Sequence, residues 1–171
     1  MKKIYQLHST LNLVLWFSMT IIAFTVIGVV YAVATNNVSK LKFKVSGQEI
    51  TAFDTSIILV LLITMVGYVF FLLSLYQLKR LVKLFVNKHF FTLESVRTIK
   101  KVGSFLMAAT FLIYVPAGFY ALFFAGDVNI KLGSISPESF FFLLIIALFF
   151  ITLSSIFEQA KQIQDENEFT I

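Results

Sequence analysis

Two histidines, His8 and His89, are the first residues to test for acid–base or metal chemistry in this chain of 171 residues. Neither has a cysteine to join it, because the chain has none, and the two do not stand at ligand spacing from one another. The absence of cysteine also removes disulfides, thiolate metal sites and cysteine nucleophiles. His89 reads as a residue at a loop tip or at headgroup level. Acidic and basic residues cluster outside the apolar runs, and proton relays and ion pathways announce themselves by charges inside such runs. No catalytic constellation survives, so the expectation is a non-enzymatic protein without cofactor or metal.

What positions the charges is a set of long apolar stretches. The chain is 58% hydrophobic and 13% charged, with a mean hydropathy of +0.89, whereas a soluble domain carries roughly 25% charged residues. Four runs hold no Asp, Glu, Lys, Arg or His: 11–34, 55–77, 105–125 and 139–157. Each is close to the roughly 20 residues that cross about 30 Å of hydrocarbon as a helix. The first run follows Met-Lys-Lys and ends in Ala32-Val33-Ala34, as a signal peptide would, but it is longer than a signal h-region of about 7–15 residues. It reads as an uncleaved span.

Orientation follows from the basic residues. Lys2 and Lys3, then Lys79, Arg80, Lys83, Lys88, Arg97, Lys100 and Lys101, then Lys161 lie on one side of such a topology. The other side holds Lys40, Lys42, Lys44 and Lys131, offset by Glu49, Asp54, Asp127 and Glu138. Both termini and the central loop are therefore expected in the cytoplasm. On the outer side, the alternation Leu41-Lys42-Phe43-Lys44-Val45 and the turn pair Ser46-Gly47 predict a short β-hairpin over 40–51. Ser136-Pro137-Glu138 predicts the start of the fourth helix.

The cytoplasmic segment 78–104 continues the helices past the apolar runs. Leu78, Leu81, Val82 and Phe85 stand at i, i+3, i+4 and i+7 with basic residues between them. Thr92 can cap a new helix and Glu94 meets the positive end of its dipole. Leu93, Val96 and Ile99 then form the next stripe. Phe157, Ala160 and Ile163 do the same leaving the fourth run, so a small helical bundle is expected below the bilayer. Tail acids Glu158, Asp165, Glu166 and Glu168 could latch weakly onto Lys79, Arg80, Lys83, Arg97 and Lys100.

Within the runs, Thr and Ser side chains read as interhelical hydrogen-bonders, and Pro116 as a kink. The pairs Gly28/Ala32, Ala117/Ala121 and Ala121/Ala125 are candidates for close helix approach, within the chain or in a homo-oligomer. The basic loop admits three readings. It is a positive-inside signal with anionic lipid contact, a protein-docking tip, or a nucleic-acid surface, the last lacking any stacking platform or recognition helix.

The stretch LKRLVKLFVNKHFFTLESVRTIKKVG at 78–103, followed by FEQAKQIQDENEFTI at 157–171, resembles bacterial membrane proteins of the "domain of unknown function 2975" family. Phe91-Thr92 and Glu166-Asn167-Glu168-Phe169-Thr170-Ile171 match its short motifs, with Phe169 in place of the usual Leu and Leu93-Glu94-Ser95 in place of the more usual Pro-Glu-Asn. The resemblance implies four spans and no known activity. It also suggests pairing with a small helix-turn-helix regulator of transcription.

The resulting expectation is an all-α polytopic protein of the bacterial inner membrane, a single membrane domain over 1–171 with a cytoplasmic tail at 158–171. It would work as a regulatory or sensory partner of a cytoplasmic protein. Arg80, Lys83, Phe91, Arg97, Lys100, Glu166, Glu168, Phe169 and Ile171 are the expected docking residues. The terminal Phe169 and Ile171 would serve as apolar anchors. Two other readings stay open: a transporter of a small molecule or lipid, with a wet cavity around Thr64, Tyr68, Tyr114 and Thr152, and a structural subunit of a membrane complex.

Overall fold

The computed structural model describes residues 2–35, 44–45, 48–49, 55–123 and 137–168. Four helices account for nearly all of them: α1 (Lys2–Thr35), α2 (Thr55–Val86), α3 (Leu93–Phe123) and α4 (Pro137–Glu168). All four are long and apolar enough to cross a membrane. Lipid offers no partner to a backbone amide, so a segment this apolar must satisfy its own backbone, and the helix is how it does so. Between α1 and α2 lies a two-residue antiparallel ladder of β1 (Lys44–Val45) and β2 (Gln48–Glu49), Lys44 opposite Glu49. It falls short of the hairpin expected over 40–51, whose other residues lie outside those described.

Every helix outruns its apolar stretch. α2 has 32 residues, about 48 Å at 1.5 Å per residue, against about 30 Å of hydrocarbon. It is therefore longer than a span needs, and the stripe of Leu78, Leu81, Val82 and Phe85 lies in the excess. Leu81 and Val82 are buried there, and so are Val96 and Ile99 at the start of α3; Leu93 instead turns outward. α4 opens at Pro137, the predicted first position, and α3 runs unbroken through Pro116.

The packing is sequential: α1 on α2, α2 on α3, α3 on α4. α3 packs against both α2 and α4 and holds half of the buried hydrophobic residues among those described, with Val96, Ile99, Val102, Leu106, Ala109 and Ala117 buried along one stripe. α1 is the loosest member; Leu15 is its one buried hydrophobic residue among those described, while Trp16, Phe17 and Phe24 point outward. Small residues set the approach distances, as they do where lipid leaves no hydrophobic drive between helices. A Cβ on Gly103 would stand 2.8 Å from the Ala147 carbonyl oxygen and 2.9 Å from the Ile151 nitrogen. On the other side, Gly67 meets Ile113 and the Ser74 hydroxyl donates to the Val102 carbonyl at 3.0 Å. Of the small residues expected to mediate approach, Ala117 is buried, but Gly67, Gly103 and Ala147 make the tight crossings.

Candidate functional site

The turn between α2 and α3 is held by an unusually complete set of bonds. α2 ends in a paired cap: the His89 amide donates to the Leu84 carbonyl at 3.0 Å and the Lys88 amide to Phe85 at 3.1 Å. This pattern requires a left-handed residue between them, a position that glycine commonly fills. Here Lys88 takes it, with φ of 62°. α3 then begins with Thr92, whose hydroxyl oxygen accepts from the Ser95 amide at 3.2 Å and donates to the Ser95 hydroxyl at 3.1 Å. Ser95 in turn donates to the His89 carbonyl at 2.5 Å. Both backbone groups of His89 are thus engaged, one by each helix, and Ser95 is fully buried beneath them.

Around this turn the rings converge. Phe85 meets Phe90 at 5.5 Å and Phe157 at 6.0 Å, and Phe91 meets Phe157 at 5.3 Å between centroids. The end of the apolar run of α4, at Phe157, is therefore docked to the α2–α3 turn through aromatic rings. Two members of the expected acidic latch have other partners: Arg80 pairs with Glu94 at 2.7 Å, and Asp165 pairs with Lys161 on its own helix. A half-exposed ion pair near water is worth at most about 1 kcal/mol, whereas packed rings bury area as well.

Two grooves flank the turn. The first, about 670 Å³, is lined by Tyr76, Lys79, Arg80, Lys83, Leu84, Val86, Asn87 and Glu94. The second, about 370 Å³, is lined by Arg80, Leu93, Glu94, Arg97, Thr98 and Lys101. Arg80 and Glu94 line both, so their ion pair is the ridge between them. At the edge of the first groove Lys79 donates to Asn12 Oδ1 at 2.8 Å, fastening α1 to α2.

The sequence-derived residues distribute as follows. Arg80 sits on the ridge, Lys83 in the first groove and Arg97 in the second. Lys100 is exposed on α3 outside both linings, where Lys101 serves instead. Phe91 is half engaged with Phe157 and 46% exposed; its neighbour Phe90 is 41% exposed. Glu166 lies on the last turn of α4, and Glu168 ends that helix; Phe169 and Ile171 lie outside the described residues. Tyr76 and Glu94 join these residues in the first groove, Tyr76 from inside an apolar run and Glu94 from the first turn of α3. Tyr76, Arg80 and Lys83 share the i, i+4, i+7 spacing that places them on one face. Of the residues expected around a transport cavity, Thr152 and Tyr68 are exposed on helix surfaces, while Thr64 and Tyr114 are half-buried. No group of three or more His, Cys, Asp or Glu side chains gathers for a metal among the described residues.

A family model described as "Protein of unknown function (DUF2975)" matches residues 41–171. The chain belongs to the DUF2975 family. The match takes in α2, α3, α4 and the turn with both grooves, and begins after α1. The row α2–α3–α4 is thus both the packed part of the molecule and the part that DUF2975 covers. No match was found among curated proteins or among solved structures.

Proposed function

We propose that this DUF2975 protein is a non-enzymatic, multi-pass protein of the bacterial inner membrane that holds a soluble protein on its α2–α3 turn. The observation that carries this is the second groove. Arg97, Lys101 and exposed Leu93 line it, and the turn that leads into it exposes Phe90 and Phe91 and is tied by the Ser95 bond to the His89 carbonyl. Aromatic and arginine side chains held rigid beside an apolar patch are the usual anchors of a protein interface. The basic rim selects an acidic surface and speeds its arrival. Lys100 and the end of α4, with Glu166 and Glu168, extend the docking face, and Phe169 and Ile171 of the tail add apolar anchors.

The distribution of Lys and Arg supports a cytoplasmic turn and cytoplasmic termini. The partner suggested by family resemblance is a small helix-turn-helix regulator, which this face would keep from or release to its DNA. Photo-cross-linking in native membranes tests the reading, with a benzophenone amino acid at Phe91 or Leu93 and a control at Phe142 on an outward face of α4. One discrete adduct with a soluble DNA-binding protein, formed from the turn and absent from the control, is expected. Adducts from all three positions with lipid only, or with one membrane protein in fixed ratio, would replace the reading with a structural one.

A further inference from the structure

The first groove is set apart from the docking face by the Arg80–Glu94 ridge and has a different neighbour. Along α2, Leu59, Leu62, Val66, Val69 and Leu73 are all exposed and fall three or four residues apart. The same spacing continues through Tyr76, Arg80 and Lys83, the wall of the groove. One face of α2 therefore reads as an apolar track that ends in cations.

The depth of the change is informative. The run 55–77 contains no Asp, Glu, Lys, Arg or His and spans about 34 Å as helix, close to the hydrocarbon thickness. Tyr76 and Lys79 then fall at the level of lipid phosphates, where tyrosine hydroxyls and lysines concentrate. In the groove Lys79, Arg80 and Lys83 face one carboxylate, Glu94, which Arg80 already neutralises. Lys79 donates to the Asn12 amide, which brings no negative charge to offset it. The occupant that satisfies both halves carries an anion at one end and an apolar body that runs parallel to the helix.

We infer that this groove binds the phosphate headgroup of one anionic phospholipid, with its acyl chains along the exposed Leu62–Val66–Val69–Leu73 track. Lys79 and Lys83 take the phosphate oxygens, the Tyr76 hydroxyl donates to the headgroup, and Asn12 of α1 orients Lys79. A soluble phosphate would use the cations and leave the track unused. The site stands on α2 and its neighbours, and does not depend on any protein partner.

Native mass spectrometry of the full chain in mild detergent tests it, with phosphatidylglycerol, phosphatidylcholine or inorganic phosphate added in turn. One phosphatidylglycerol per chain is expected to be retained in preference to phosphatidylcholine. Lys83→Gln is expected to lower its occupancy about five-fold, the contribution of one lysine near an anionic surface. Lys83→Arg restores it, and Lys161→Gln on α4 leaves it unchanged. Lys83 is exposed, so neither variant disturbs the core. Equal retention of both lipids overturns the inference, as does an equal loss in Lys83→Gln and Lys161→Gln, which would mean diffuse charge attraction. Displacement of the lipid by inorganic phosphate at equal concentration also overturns it, in favour of a soluble anion.

Discussion

Arg80 Nη2 lies 2.7 Å from Glu94 Oε1, joining the last turns of α2 to the first turn of α3 and dividing two basic grooves. The two side chains remain 49% and 52% exposed, so water and salt screen the pair. Its importance is positional: it sets how much positive charge each groove presents, and it contributes little to folding.

Replacing Glu94 by Gln is therefore expected to leave stability within about 1 kcal/mol of the parent. It should also tighten binding of phosphatidylglycerol by about two- to five-fold, because the carboxylate no longer offsets the cations. Lipid titration by native mass spectrometry alongside SDS unfolding separates the two effects. Lost stability without a gain in lipid binding would show that the bridge is structural.

Ser95 is the buried knot of the turn, bonded to Thr92 and to the His89 carbonyl. Ser95→Ala should cost about 1–3 kcal/mol, since it leaves a polar group without its partner. Thr92→Ala should cost about 1 kcal/mol through the lost cap. Circular dichroism during SDS titration reads both, and a Thr92→Ser variant should keep most of the stability.

Lys88 occupies a left-handed position at φ of 62°, which disfavours a side chain by about 1–2 kcal/mol. Glycine avoids that strain but loses more freedom on folding, so Lys88→Gly should gain about 0.5–1 kcal/mol. Lys88→Val, branched at Cβ, should be destabilising. If both variants match the parent in the same SDS titration, the cap is not the conformation the turn keeps.

Gly103 and Gly118 lie on the same helix but in opposite surroundings. A methyl group at Gly103 would press on backbone atoms of Ala147 and Ile151, which cannot rotate away, whereas one at Gly118 meets nothing within 4 Å. Gly103→Ala should cost about 1–3 kcal/mol by forcing α3 and α4 apart. Gly118→Ala should be neutral or gain up to about 1 kcal/mol from helix propensity. Equal effects of the two substitutions would mean that α3 and α4 do not cross at Gly103.

The local chemistry of the chain determines much of this molecule. Four runs without charge must become helices, because lipid leaves the backbone no other partner. Pro137 at the start of α4, Thr92 as the cap of α3 and the buried stripe from Leu81 to Ile99 follow from caps and from the 3.6-residue period, both local properties. What the one-dimensional pattern could not decide is which charge meets which. Arg80 has carboxylates on two other helices within plausible reach, and only the closed turn brings Glu94 to it and leaves Asp165 to Lys161. In the same way Phe157 looked like one more apolar residue at a helix end until the fold set it against Phe85 and Phe91. Small-residue spacing missed Gly67 and Gly103, because a close crossing depends on the residues of the facing helix. Periodicity assigns a side chain to a face; only tertiary packing supplies what that face meets, and in this protein that choice creates the two grooves.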